Sequence, residues 1–281
     1  MNFIFWNIRK KTDDDFLSHI VNMLNENETD VFMVAELPGK DIEQVEKFIN
    51  DKTGDNYKHI NGHIFEKVVI FAKKDIDIQL KDATHEGKRI AAFTIKSNIL
   101  DKKIILFVLH FYDKFNCTNE QQNERINRIR RYIEKVEKEL NQNDFSIVCG
   151  DFNMNPFETP MIKTVGMHAM MDKNIVRKGK RTVEGEDYTF FYNPMWGFWG
   201  DCGKGDAPGT YYMDGSGSDI ALFWHILDQV LIRKGLIDYL DTDKLNIITE
   251  INGMTLLNKK NGKINSKDFS DHLPIAFCLN I

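Results

Sequence analysis

Several short patches of the sequence carry side chains that could handle a hard cation and a phosphate: Asn7, Glu36, His110, Gly150-Asp151-Phe152-Asn153, Asp228 and Ser270-Asp271-His272. Each stands at the end of an apolar run. Taken singly they say little. An acidic residue after a buried strand is usually a turn former or a helix cap. Gly-Asp-Phe-Asn reads equally well as a tight turn, and Ser-Asp-His as ordinary surface. A lone histidine at a strand end is more often hydrogen-bonded in the core than catalytic. Together the residues form a coherent set. Glu36, Asp151, Asp228 and Asp271 are carboxylates suited to a hard divalent cation. Asn7 and Asn153 are amides that can orient phosphate oxygens, and His110 and His272 add two imidazoles. No cysteine competes as a soft ligand. Magnesium favours oxygen ligands, keeps waters, and is held by one or two carboxylates plus substrate phosphate. Phosphoryl chemistry is mostly positioning and charge neutralisation.

The elements that must position these side chains follow from apolar spacing. Residues 2–7 read as a strand, and Thr12 to Asp15 as a capping cluster with an acidic first turn. Phe16, Ile20, Met23 and Leu24 then recur at helical spacing. Val31 to Ala35 is a second strand, and Ile42, Val45 and Phe48 mark a second helix. Val68 to Ala72, Ile90 to Ile95, Ile104 to Leu109 and Phe145 to Cys149 read as further strands, as do Ile226 to Ile232 and Leu273 to Leu279. Thr118 and Gln121 have capping-box spacing. Behind them Ile126, Ile129, Ile133, Val136 and Leu140 form a stripe, with Arg128, Arg131, Lys135 and Lys138 outside it. Neither repeats nor linkers divide the chain. The expectation is one domain over 1–281 with a long Gly- and aromatic-rich internal loop at about 173–218. Amphipathic helices around apolar strands predict an α/β layered or sandwich architecture.

The chain has 281 residues, a net charge of -5 and 42% apolar residues, ordinary for a globular protein. It is not a strongly basic domain built to wrap nucleic acid, although a nuclease could work through bound metal and a few local cations. Cys117, Cys149, Cys202 and Cys278 form no CxxC pair and no zinc pattern. The N-terminal apolar run is too short for a signal-peptide core and has no basic segment before it. Ile104 to Leu109 is too short to span a bilayer. The expectation is a cytoplasmic protein without an integral membrane segment.

The order of the motifs resembles the endonuclease/exonuclease/phosphatase superfamily. This group includes pancreatic-type deoxyribonucleases, apurinic-site endonucleases, sphingomyelinases and inositol polyphosphate phosphatases. The resemblance runs from Trp6-Asn7 through Ala35-Glu36-Leu37, Leu109-His110-Phe111, Gly150-Asp151-Phe152-Asn153 and Leu227-Asp228-Gln229-Val230 to Ser270-Asp271-His272. Tyr188-Thr189-Phe190 is similar to the family's Thr-aromatic strand. The resemblance implies a four-layer α/β/β/α sandwich of two packed mixed sheets flanked by helices, with the site at one edge. It implies that Glu36 is a ligand of Mg2+ or Mn2+, with Asn7 and Asp271 nearby. Asp151 would orient or deprotonate the attacking water. Asn153 and His110 would hold the phosphate, together with Asn7, and His272 would pair with Asp228, which fixes its tautomer and favours imidazolium, with its role either general base or phosphate-stabilising cation. Two departures stand out. Arg9 occupies a place where the apurinic-site enzymes have an acidic residue, and Phe111 and Tyr112 replace smaller residues beside His110.

The reading that follows is a metal-dependent phosphoester hydrolase, first of all a nuclease acting on DNA or RNA. The alternatives are a phosphatase or phosphodiesterase on lipid headgroups, inositol phosphates or small nucleotides, and a noncatalytic phosphate-binding module. The expected partner is a phosphoester substrate, nucleic acid first. Trp196, Phe198, Trp199, Tyr211 and Tyr212 could stack unpaired bases, enter a membrane interface, or simply form the loop's own small core. Arg177 to Arg181 could contact phosphate or be a solvated loop.

Overall fold

The computed structural model describes residues 1–281 except 55, 61–66, 83–88, 216–218 and 220. The last three residues of the expected 173–218 loop therefore lie outside the described residues.

The chain runs β1 (Asn2–Asn7), α1 (Asp14–Glu26), β2 (Val31–Ala35), α2 (Ile42–Thr53), β3 (Tyr57–His59), β4 (Val68–Lys73), β5 (Ile78–Asp82), β6 (Ile90–Lys96) and β7 (Lys103–His110). It continues through α3 (Asn119–Glu139), β8 (Ser146–Asp151), α4 (Thr159–Ile162), β9 (Ala169–Met170), α5 (Lys173–Arg177), β10 (Lys180–Val183), β11 (Glu186–Thr189) and β12 (Phe191–Tyr192). The last elements are β13 (Tyr211–Tyr212), β14 (Trp224–His225), β15 (Asp228–Ile232), β16 (Leu240–Ile247), β17 (Glu250–Ile251), β18 (Met254–Thr255) and β19 (Ile275–Leu279).

Two mixed sheets dominate. One has the order β16-β19-β1-β2-β4-β3 and the other β5-β6-β7-β8-β15-β12-β9. Side-chain alternation along β7 explains the layering. Ile104, Leu106 and Val108 point into the core between the sheets, where they join residues of β1, β2 and β4. Ile105, Phe107 and Leu109 point the other way, onto Ile126, Ile129 and Ile133 of α3. The apolar faces of α1 and α2 cover the first sheet. The four-layer α/β/β/α sandwich is thus present.

Local chemistry sets the helix ends. Asp13 accepts from Phe16 N at the start of α1. Thr118 and Gln121 form a complete capping box on α3, and Gly54 ends α2 in the left-handed region at φ 75. Of the expected loop at 173–218, part is ordered as α5, the β10–β11 hairpin, β12 and a 3-10 turn over Pro194–Phe198. Arg177 pairs with Asp238 and Lys180 with Asp187, so these cations meet local carboxylates. Among the described residues no helix is long and apolar enough to cross a membrane.

Candidate active site

Strand direction and register bring the polar patches together. β1 and β2 are parallel with Asn7 opposite Ala35, so Asn7 and Glu36 leave the first sheet at one edge. β7 and β8 are parallel with His110 opposite Asp151. β15 runs antiparallel to β8, and its first residue, Asp228, also lies opposite Asp151. β19 runs antiparallel to β1, so the segment before it returns to the same edge; there Ser270 Oγ donates to the Asn7 carbonyl at 2.5 Å. The carboxyl ends of parallel strands are where open α/β sheets gather ligands.

The backbone is specialised at these ends. Gly150 is required by space: a Cβ there would sit 1.9 Å from the Leu109 carbonyl oxygen, and its φ is 150. Glu36 and Asn153 adopt φ 60 and 52, in the left-handed region. Such conformations cost about 1–3 kcal/mol each and persist where the surroundings enforce them.

A cavity of about 440 Å³ opens on this edge, lined by Asn7, Glu36, His110, Asp151, Asn153, Asp271 and His272 among others. Asp228 lies fully buried behind it, where its Oδ2 accepts from His272 Nδ1 at 2.8 Å. His272 Nε2 stands 3.9 Å from Asp151 Oδ2, so the imidazole sits between two carboxylates. Burial alone would lower the His272 pKa, but Asp228 and Asp151 outweigh it and raise it to about 10. Asp151 is buried and is pushed up from the usual carboxylate range mainly by desolvation, with the His272 charge opposing. It accepts from Asn7 Nδ2 at 3.1 Å and from the Asn153 amide at 2.8 Å. His110 Nε2 lies 3.7 Å from both Glu36 Oε1 and Asp151 Oδ2. Burial and then the Arg89 charge lower its pKa to about 3, so it is neutral at pH 7. Asn153 Nδ2 donates to the Phe111 carbonyl at 3.0 Å.

The donor set of Glu36, Asn7 and Asp271 fits a hard divalent cation, because it consists of oxygens and, among the described residues, no cysteine lines the cavity. Asn7 Oδ1 also accepts the Arg9 amide, and Asp271 lies 3.4 Å from Arg9 Nε. Asp151, Asp228 and His272 are the tighter cluster, with donor atoms within 4.8 Å of one another. In that cluster the His272 Nδ1 is already engaged by Asp228 Oδ2 at 2.8 Å, so the imidazole bridges the two carboxylates.

Other neighbours of the site are not apparent from sequence. Thr210 is buried, and its Oγ1 accepts from the Leu227 and Asp228 amides, both at 3.1 Å. The Tyr211 ring lies 4.7 Å from that of His272. Trp6 Nε1 donates to the His272 carbonyl at 2.8 Å. Arg89 donates to the carbonyls of His110 and Phe111, and Arg89 and Arg125 stack on Tyr112 at 4.0 and 3.7 Å. Phe111 packs beneath β7 in the core.

The place of the Thr-aromatic segment changes, while the aromatic residues of the insert divide between readings left open above, loop packing for some and the cavity for one. The Thr-aromatic segment beside the site is Thr210-Tyr211. Thr189 instead accepts from the buried Arg130 and Arg233 in a separate network. Of the aromatic residues of the insert, Phe198 is buried, Trp196 and Trp199 meet Phe157, and Tyr212 meets Trp224; Tyr211 is the one that lines the cavity.

Comparison with known proteins agrees with this architecture. A sequence model of the Endonuclease/Exonuclease/phosphatase family matches residues 4–272. The fold is similar to that of D. rerio TDP2 complexed with single strand DNA product. The TM-score is 0.59 at 16% identity, over 100% of this chain and 99% of that one. An endonuclease/exonuclease/phosphatase family protein from Bacteroides thetaiotaomicron gives 0.58 at 13% identity, over 99% and 96% of the two chains. The endonuclease domain of TRAS1, a telomere-specific non-LTR retrotransposon, gives 0.52 at 12% identity, over 100% and 98%. No curated protein matches the sequence. The matched span takes in every polar patch from Asn7 to His272, and on it the chain belongs to the Endonuclease/Exonuclease/phosphatase family, hydrolases that act on phosphoester bonds.

Proposed function

We propose that the protein is a nuclease that hydrolyses phosphodiester bonds of nucleic acid with the help of Mg2+ or Mn2+. The observation that carries this reading is the His272 imidazole held between Asp228 and Asp151, in one cavity with Glu36, Asn7, His110 and Asn153. A binding module has no need of a buried Asp228–His272 pair aimed at a second carboxylate. The likeness to TDP2 bound to single strand DNA product and to the TRAS1 endonuclease domain supports nucleic acid as the substrate class.

Glu36, Asn7 and Asp271 would hold the cation, which when bound supplies charge neutralisation at the phosphate and acidifies water. Asp151 Oδ2 accepts a proton from water as its oxygen attacks phosphorus, and the bond to the leaving oxygen breaks as that oxygen takes a proton from solvent. His272, held as imidazolium by its two carboxylates, neutralises charge developing on the phosphoryl oxygens. Neutral His110 and the Asn7 and Asn153 amides orient those oxygens.

The test is turnover of a panel under Mg2+ or Mn2+: single-stranded and duplex DNA and RNA, phosphoinositides, sphingomyelin and nucleotides. Cleavage of a nucleic acid well above the others supports the reading. Turnover confined to lipids or free nucleotides overturns it.

A further inference from the structure

We infer that the outer lip of the cavity is a stacking subsite for an unpaired nucleobase beside the scissile phosphate, which directs the enzyme to single-stranded nucleic acid. The inference rests on the nuclease reading above and adds the form of the substrate.

The cavity has a second kind of lining besides its polar floor. Phe115, Met213, Tyr211 and Leu227 contribute apolar surface to the same space. Phe115 is 87% exposed and Met213 38% exposed, and they come from loops far apart in sequence. Single exposed apolar residues need no explanation, but a group of them continuous with a reaction site does.

The backbones that carry them are fixed. In the loop after β7, Asp113 Oδ1 accepts from the Asn116 amide and side chain at 2.8 and 2.9 Å. Lys114 is held by Glu158 at 2.6 Å. Glu158 in turn accepts from the Asn155 amide at 2.8 Å, and Asn155 reaches the Ile226 amide and the His225 ring, both at 3.0 Å. This chain of bonds ties the Phe115 loop to the strand that leads into Asp228. Met213 N donates to the Phe223 carbonyl at 2.8 Å, which pins the other side.

Charge and chemistry choose the occupant. Duplex binding relies on phosphate contacts by Lys and Arg. Here the net charge is -5, and four cations line the cavity: Arg9 faces Asp271, Lys114 faces Glu158, Arg89 is turned to the His110 and Phe111 carbonyls, and Lys67 is the fourth, enough for a single phosphate but not for a duplex backbone. A paired base is already stacked in its helix and offers only its edges to a protein. An unpaired base offers a face, and an aromatic platform binds it without regard to sequence. An apolar lip beside an oxygen-rich floor therefore complements one phosphate with its unstacked base.

The experiment measures steady-state cleavage of a short single-stranded oligonucleotide, its duplex, and an abasic strand of the same length. Phe115→Ala should raise KM on the single strand about 10-fold, the loss of one stack, and Met213→Ala about threefold, the loss of its apolar contact with the base. On the abasic strand the same variants should shift KM by less than about twofold. Phe115→Trp should keep the single-strand affinity, and melting temperatures should be unchanged because both side chains are exposed. An equal KM on all three substrates, or none raised by the variants while the natural protein cleaves the single strand, overturns the inference and leaves the nuclease reading intact. If the natural protein cleaves no nucleic acid, both fall. Variants that lose binding to sphingomyelin vesicles but keep their oligonucleotide kinetics would assign the lip to a lipid surface and overturn it too.

Discussion

At the scale of residues, His272 and the two carboxylates around it carry the proposed mechanism. His272→Ala and Asp151→Asn should each lower kcat by at least ~10²-fold, the usual contribution of a general acid–base or charge-stabilising group. Single-turnover rates on the cleaved substrate check this, and a variant with natural kcat removes its residue from the mechanism. Asp228 acts through His272, so adding Asp228→Asn to His272→Ala should cost little more than His272→Ala alone; additive losses would separate the two. The pair also predicts a pH dependence of stability. The folded-state pKa of His272, about 10, lies above its ordinary value of 6.5. The folded protein thus holds the proton more tightly. The resulting stabilisation is complete below about pH 6.5 and fades as pH rises to about 10. The melting-temperature gap between natural protein and Asp228→Asn should shrink over that interval, and a constant gap would contradict the raised pKa.

At the scale of elements, much of the fold can be read from the sequence for a physical reason. β1, β2, β4 and β7 are buried on both faces and appear as unbroken apolar runs. α1 and α3 carry caps and periodic stripes. β16 escapes because Asp-Thr-Asp-Lys lies in its middle: it is an edge strand that pairs with β19 across a bulge between Asp241 and Asn246. The residues of the site are legible as motifs at strand ends, whereas Thr210 and Arg89 are not. Their contributions are bonds to the backbone of Asp228 and His110, and side-chain type and spacing do not disclose such partners. Thr189 misleads because a Thr-aromatic pair occurs twice, and only register shows which one borders His272. The tightest demand on an element is at Gly150, where β8 meets β7. Gly150→Ala should destabilise the protein by about 3 kcal/mol through overpacking against a rigid carbonyl. Urea denaturation measures it, and an unchanged midpoint would show that the strands can part at no cost.

At the scale of the whole molecule, two sheets with their strand ends turned to one edge collect hard oxygen donors, a neutral imidazole and a protonated one in a single cavity. With a net charge of -5, the proposed handling of a phosphate rests on this edge and on the cation it would hold. The proposed hydrolysis therefore depends on a cation held at Glu36. Its most direct test is oligonucleotide cleavage during a Mg2+ titration, natural protein against Glu36→Gln, with melting temperatures alongside. Turnover should vanish in excess chelator. The Mg2+ concentration for half-maximal rate should rise at least ~10-fold in Glu36→Gln, as when a metal site is weakened, with the melting temperature little changed. Full turnover in chelator, or the same Mg2+ dependence in both proteins, would contradict the account.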